Sequence, residues 1–169
     1  VHLLFFLPER SLAMPFTSSL LTVHPDWIDY NGHLNMAYYH VLFDRTMDEM
    51  FDGIGIGKDY LAATNHSMFA AEVHVCYLRE LKAGDDVRVT YRLLDADAKR
   101  LHMFAELHHA TEGFLSATSE QLGLHVDMAA RKVVPFPDDV QVCLAAMLAE
   151  DRALPVPEAA GRRIGIPRR

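Results

Sequence analysis

Residues 35–51 constrain the fold more than any other stretch. Their strongest polar positions, His40, Asp44 and Asp48, recur every fourth residue and continue to Asp52, forming a narrow stripe with Arg45 and Glu49 beside it. Almost everything else there is apolar: Met36, Ala37, Tyr38, Tyr39, Val41, Leu42, Phe43, Met47, Met50 and Phe51. A surface helix needs only one apolar face, so an arc this wide calls for a helix enclosed by other structure over most of its circumference.

The enclosing material is legible downstream. Val87, Val89, Tyr91 and Leu93 alternate with Arg88, Thr90 and Arg92, and Leu101, Met103, Ala105 and Leu107 alternate around His102, Glu106 and His108, the period of half-buried strands. Residues 67–81 and 114–127 read as long strands, and 17–23 as a short first strand. The separators 82–85, 95–98 and 111–113 have turn chemistry of hairpin length, so the strands are antiparallel neighbours. The expected fold class is therefore α+β, an antiparallel sheet wrapped around one long central helix. After 134–137, residues 138–150 read as a second helix with Asp138 near its N-terminus as cap. Residues 1–16 are expected to be a leader outside the fold, 17–151 the domain, and 152–169 a solvated Pro- and Arg-containing tail.

Composition narrows the function. With 169 residues, half of them hydrophobic, the chain suits one domain with a substantial core. A formal charge of -7 speaks against a general nucleic-acid binder. The apolar start is too short for a membrane span, so no membrane association is expected. Cys76 and Cys143 read as buried reduced thiols of a cytoplasmic protein. Ten histidines invite a metal, yet His74, His102, His108 and His109 lack a recognisable ligand spacing, so none is expected.

Chemistry concentrates in residues 26–35, Asp-Trp-Ile-Asp-Tyr-Asn-Gly-His-Leu-Asn, which lead into the helix. Amides opening a helix lack intrahelical acceptors and sit at its positive end, where they can hold an oxygen that becomes negative. Gly32 lets the chain come close. Asp29, opposite those donors, can deprotonate a water or attack a carbonyl itself. His33 can position water or share the proton, and Asn35 can bond the carbonyl oxygen or cap the helix. Each has a plainer alternative. Asp29 fits a turn, His33 a structural hydrogen bond, Tyr38 and Tyr39 the core, and Asp44 and Arg45 the helix surface or a subunit contact.

Asp29, Gly32, His33, Asn35, Tyr39 and the pair Asp44-Arg45 resemble the motif of hotdog-fold acyl-CoA thioesterases of the 4-hydroxybenzoyl-CoA thioesterase type, with Met36 where many members carry a second Asn. That resemblance implies the hotdog fold, thioester hydrolysis, and a homodimer or dimer of dimers binding acyl-CoA between subunits. CoA belongs to the substrate, and no separate cofactor is implied. Residues 23–33, 77–85 and 94–102 further resemble the thioesterase domain encoded beside, or fused to, carnitine 3-dehydrogenase, which implies hydrolysis of betainyl-CoA to glycine betaine and CoA. A trimethylammonium group is best held by aromatic faces helped by a carboxylate. Trp27, Tyr30, Tyr38 and Tyr39, with Asp26 and Glu72 as anions, are the candidates; Trp27 equally suits a loop anchor and Glu72 an exposed strand. A hotdog enoyl-CoA hydratase or dehydratase is the rival enzyme, and a non-catalytic acyl-CoA-binding protein the rival from another class.

Overall fold

The computed structural model describes residues 15–166; most of the expected leader, and the last three residues of the expected tail, lie outside the described residues. In chain order the elements are β1 (Phe16–Thr17), β2 (Leu21–Thr22), a 3-10 turn (Pro25–Trp27), α1 (Met36–Gly53), α2 (Lys58–Thr64), β3 (His66–Tyr77), β4 (Asp86–Ala96), β5 (Arg100–His109), β6 (Leu115–Asp127), β7 (Lys132–Val133) and α3 (Asp138–Arg152). The sheet order is β1-β4-β5-β6-β3, all antiparallel, with β2 also on β4 and β7 on β6.

The hairpins follow from their turns. Asp97 Oδ1 accepts from the amides of Lys99 and Arg100 to close β4–β5. Gly113, at φ +74°, takes the left-handed position that closes β5–β6. The inner residues of β4 and β5 are buried as the period-two pattern requires, and they pack with Tyr39, Leu42, Phe43, Met50 and Phe51 of α1. Tyr91 ties the two layers: its hydroxyl donates to the Phe43 carbonyl at 2.5 Å and lies 3.0 Å from Thr46 Oγ1. Burial drives this phenol far above its ordinary pKa.

The sheet encloses less of α1 than the apolar arc suggests. Met36 is 62% exposed, and Ala37, His40, Asp44 and Arg45 are also exposed, so one flank of the helix is open in a single chain. On the same side β3 pairs, among the described residues, only with β6, and Phe69, Val73 and Tyr77 along it are exposed. Between Ala70 and Glu72 the register of β3 shifts, because Ala71 is an extra residue in the ladder.

Other boundaries also differ. Phe16, expected in the leader, pairs with Tyr91 and is buried, so the sheet starts one residue earlier than expected. The single first strand is two short ones, and α2 and β7 are additional. The cap of α3 is Pro137 without a side-chain bond; Asp138 sits in the first turn, where its charge still suits the helix dipole. Past α3 the chain is not a free tail. Arg92 donates to the carbonyls of Asp151, Leu154 and Pro155, and the Gly161 amide donates to Glu120 Oε2 at 2.7 Å. No helix among the described residues is long and apolar enough to cross a membrane.

Candidate active site

The loop before α1 is held by a short chain of local bonds. His24 Nδ1 accepts from the Asp26 amide to start the 3-10 turn, and Ile28 and Leu34 form an antiparallel bridge. Between them, the Asp29 amide donates to the His33 carbonyl and the Gly32 amide to the Asp29 carbonyl, each at 3.0 Å. Gly32 sits at φ +84° with open space where a Cβ would be, so it is required by the backbone and not by crowding. Two longer bonds seat this hairpin: Asn35 N to the Trp27 carbonyl at 2.9 Å, and Leu34 N to the Leu81 carbonyl at 2.7 Å.

Asp29 is thereby held in the loop that leads into α1. Its Oδ1 accepts from the Asn31 amide at 2.8 Å and lies 4.0 Å from His33 Nδ1, while Oδ2 has only a long contact, 3.4 Å, to Asn31 Nδ2. Its side chain is 15% exposed, against 34% for His33. Asn35 is the N-cap: its Oδ1 accepts from the Ala37 amide at 2.9 Å. The Tyr38 amide donates to the Asn35 carbonyl. Of the first helical amides, those two are engaged by Asn35, which leaves Met36 N–H at the tip.

The aromatic candidates do not converge into one cage within this chain. Tyr38 stacks on Trp27 with centroids 5.4 Å apart and planes at 14°, and the Arg45 guanidinium lies 5.4 Å from the Trp27 centroid. The indole is thus an anchor that already carries a cation. Tyr39 is buried and meets Tyr77 edge-on at 5.1 Å; burial raises its phenol pKa, with hydrogen bonding toward Ser116 and Leu81 opposing the rise. Tyr30 is 97% exposed at the loop tip. Glu72 follows the Ala71 bulge and lines a different depression with His74, His102 and Glu120, on the face of the sheet turned away from α1.

Residues that local sequence does not reveal complete the surroundings. The Tyr77 hydroxyl reaches the Met36 carbonyl at 3.5 Å, and buried Ser116 donates to the Arg79 carbonyl. Alternation in β3 puts Tyr77 on the helix side, but nothing local says it meets the helix entrance. A cleft of about 310 Å³ runs between α1 and β3, lined by Val41, Asp44, Met47, Ala70, Val73 and Gln121 among others. Asp29, His33 and Asn35 do not line this cleft; a carboxylate on the loop that opens a helix suits activation of water for attack on a carbonyl.

Comparison with known proteins agrees. Residues 23–144 match the thioesterase-like superfamily. The chain is 41% identical over 156 residues to the betainyl-CoA thioesterase of Pseudomonas aeruginosa, covering 92% of this chain and 98% of that protein. It is 39% identical to the L-carnitine dehydrogenase/betainyl-CoA thioesterase of Rhizobium meliloti, spanning 32% of that longer protein. Among solved structures, a Staphylococcus aureus protein in complex with CoA superposes with TM-score 0.83 at 30% identity, over 90% of this chain and 95% of that one. A putative thioesterase of Pseudomonas putida gives 0.77 at 33%, over 91% and 98%. The chain belongs to the thioesterase-like superfamily and is a hotdog-fold thioester hydrolase.

Proposed function

We propose that this chain hydrolyses betainyl-CoA to glycine betaine and CoA, with Asp29 as the base that activates water. The observation that carries the reading is the placement of Asp29. The Asn31 amide holds one carboxylate oxygen while the other has only a long contact to Asn31 Nδ2, on the loop that runs into α1. The free oxygen takes a proton from water as the hydroxide oxygen adds to the thioester carbonyl. The Met36 amide and the helix dipole receive the negative charge on the carbonyl oxygen. Collapse breaks the C–S bond, and the thiolate leaves as the CoA thiol once it regains the proton. His33 lies close enough to Asp29 to steady the water.

The acyl group is inferred from the 41% identity to the Pseudomonas aeruginosa enzyme. Its cation needs an aromatic face that is not already covered. Tyr30, next to Asp29 and almost wholly exposed, supplies it, whereas Trp27 is occupied by Tyr38 and Arg45. The bare edge of β3 and the open flank of α1 support a homodimer in which a second copy covers both.

The test is thiol release from betainyl-CoA, acetyl-CoA and benzoyl-CoA by the wild type, Asp29→Asn and Tyr30→Ala. Betainyl-CoA is expected to give the highest kcat/KM. Asp29→Asn is expected to lose about 10²–10⁴ in kcat, the usual contribution of a general base. Tyr30→Ala is expected to raise KM for betainyl-CoA more than for acetyl-CoA. Undiminished release by Asp29→Asn, or a preference for a neutral acyl group, refutes the assignment.

A further inference from the structure

The betainyl group carries its positive charge two bonds from the carbonyl that is attacked. With the carbonyl oxygen about 2.9 Å from the Met36 amide, the trimethylammonium nitrogen falls within roughly 7 Å of that amide. This is the positive end of α1, where a cation is repelled. A short-range attraction has to offset that repulsion, and most of the aromatic rings around the loop are spent. Trp27 is covered by Tyr38 and Arg45, and Tyr39 is buried. Tyr30, at the loop tip, offers one open ring.

Tyr77 offers another. It is the last residue of β3, opposite Ala117 of β6. Alternation puts it on the helix side with Val73 and Val75, and its hydroxyl reaches the Met36 carbonyl at 3.5 Å. The carbonyl oxygen and amide nitrogen of one helical residue are about 3.5 Å apart, so this hydroxyl lies within roughly 7 Å of the Met36 amide. Tyr39 meets the ring at 69° with centroids 5.1 Å apart, which steadies it while covering one side at most. Tyr77 stays 44% exposed, against 4% for Tyr39. Burial and the neighbouring Tyr39 raise its phenol pKa, so the ring acts through its π face and not through a charge.

We propose that Tyr77 sets acyl-group specificity, its open face taking the trimethylammonium of the substrate in addition to Tyr30; the proposal rests on the betainyl-CoA reading above. A quaternary ammonium has no N–H to donate, so a ring face within about 6 Å is the partner that suits it, and both the ring and the cation are placed by the same Met36 peptide unit. A second copy pairing along β3 bonds to backbone groups in the plane of the sheet. The ring stands out of that plane toward α1, so such pairing leaves it at the helix entrance.

The experiment compares betainyl-CoA with 3,3-dimethylbutyryl-CoA, which has the same shape and no charge. In Tyr77→Leu the ratio of kcat/KM for the charged over the neutral ester is expected to fall roughly 3–30-fold, the range of one cation–ring contact. Because both esters meet the same variant, a general loss of folded enzyme cancels in this ratio. Tyr77→Phe keeps the ring without the hydroxyl and is expected to hold the ratio within about twofold of wild type. An unchanged ratio in Tyr77→Leu overturns the assignment. So does a Tyr77→Phe variant that loses as much of the ratio as Tyr77→Leu, since the hydroxyl and not the face then carries the selection. Wild-type protein that releases no thiol from betainyl-CoA overturns the betainyl-CoA reading instead.

Discussion

Replacing Asn35 separates two jobs that one side chain can do at a helix tip. Its Oδ1 accepts from the Ala37 amide at 2.9 Å, so the amide oxygen caps the helix, while its NH₂ is chemically able to donate to a thioester oxygen. The backbone bonds that seat the loop, Asn35 N to Trp27 O and Leu34 N to Leu81 O, do not involve the side chain and are available to both Ala and Ser. Asn35→Ala removes the cap, a loss of about 1 kcal/mol within a usual span of about 0.5–2. For a chain of this length that lowers Tm by roughly 2–4 °C per kcal/mol. Asn35→Ser keeps a cap oxygen of equal quality and removes the NH₂ donor. The structure assigns the side chain to capping, so Asn35→Ser is expected to hold Tm and keep kcat within a few-fold, with Asn35→Ala losing Tm. Scanning calorimetry and thiol-release kinetics on the two variants measure both. If Asn35→Ser keeps its Tm and loses about 10²–10³ in kcat, the cost of one oxyanion donor, the NH₂ group is catalytic and the capping assignment fails.

Tyr91→Phe is expected to destabilise by about 0.5–1.5 kcal/mol, because it removes the hydroxyl that bonds the Phe43 carbonyl and Thr46 while Thr46 keeps its own bonds to α1 carbonyls, and urea unfolding reads this directly. His125 gives a pH dependence: its Nδ1–H donates to the Val134 carbonyl and its Nε2 accepts from the Tyr60 hydroxyl, so it is held neutral, and burial lowers its pKa below the ordinary 6.5. The unfolded chain then binds the extra proton first, so this contribution is complete above about pH 6.5 and is lost as pH falls from there through the depressed folded value. Tm measured from pH 7.5 to 5 is expected to fall more steeply for the wild type than for His125→Gln, and parallel curves would refute it.

The parts legible from sequence are those set by neighbours along the chain. β4 and β5 alternate over most of their length, and short turns join β4, β5 and β6, so their antiparallel pairing follows from period and turn length. The entrance of α1 was equally readable, because a cap bonds two residues away. What escaped is long-range or lacks a period. The helix α2 buries no residue, so it has no apolar stripe to read. The stack of Arg45 on Trp27 joins positions eighteen residues apart, and the course of the chain past α3 depends on Arg92 and Glu120, far upstream of the residues they hold. Phe16 belongs to the sheet because Tyr91 is opposite it, which no pattern in residues 1–16 announces. The face that Glu72 takes depends on the bulge at Ala71, because alternation predicts a face only until the phase changes.

That change of phase has a consequence of its own. Upstream of Ala71, Met68 and Ala70 point toward the helix, Met68 lying against Gly123; downstream, Val73 does so and Glu72 and His74 point the other way. One inserted residue lets a single strand keep hydrocarbon on its helix side both before and after the bulge while presenting ionisable groups on the other face from its midpoint on. Excising Ala71 would turn either Met68 and Ala70 away from the helix or Glu72 and His74 toward it. The strand therefore tolerates substitution at that position far better than a change in its length.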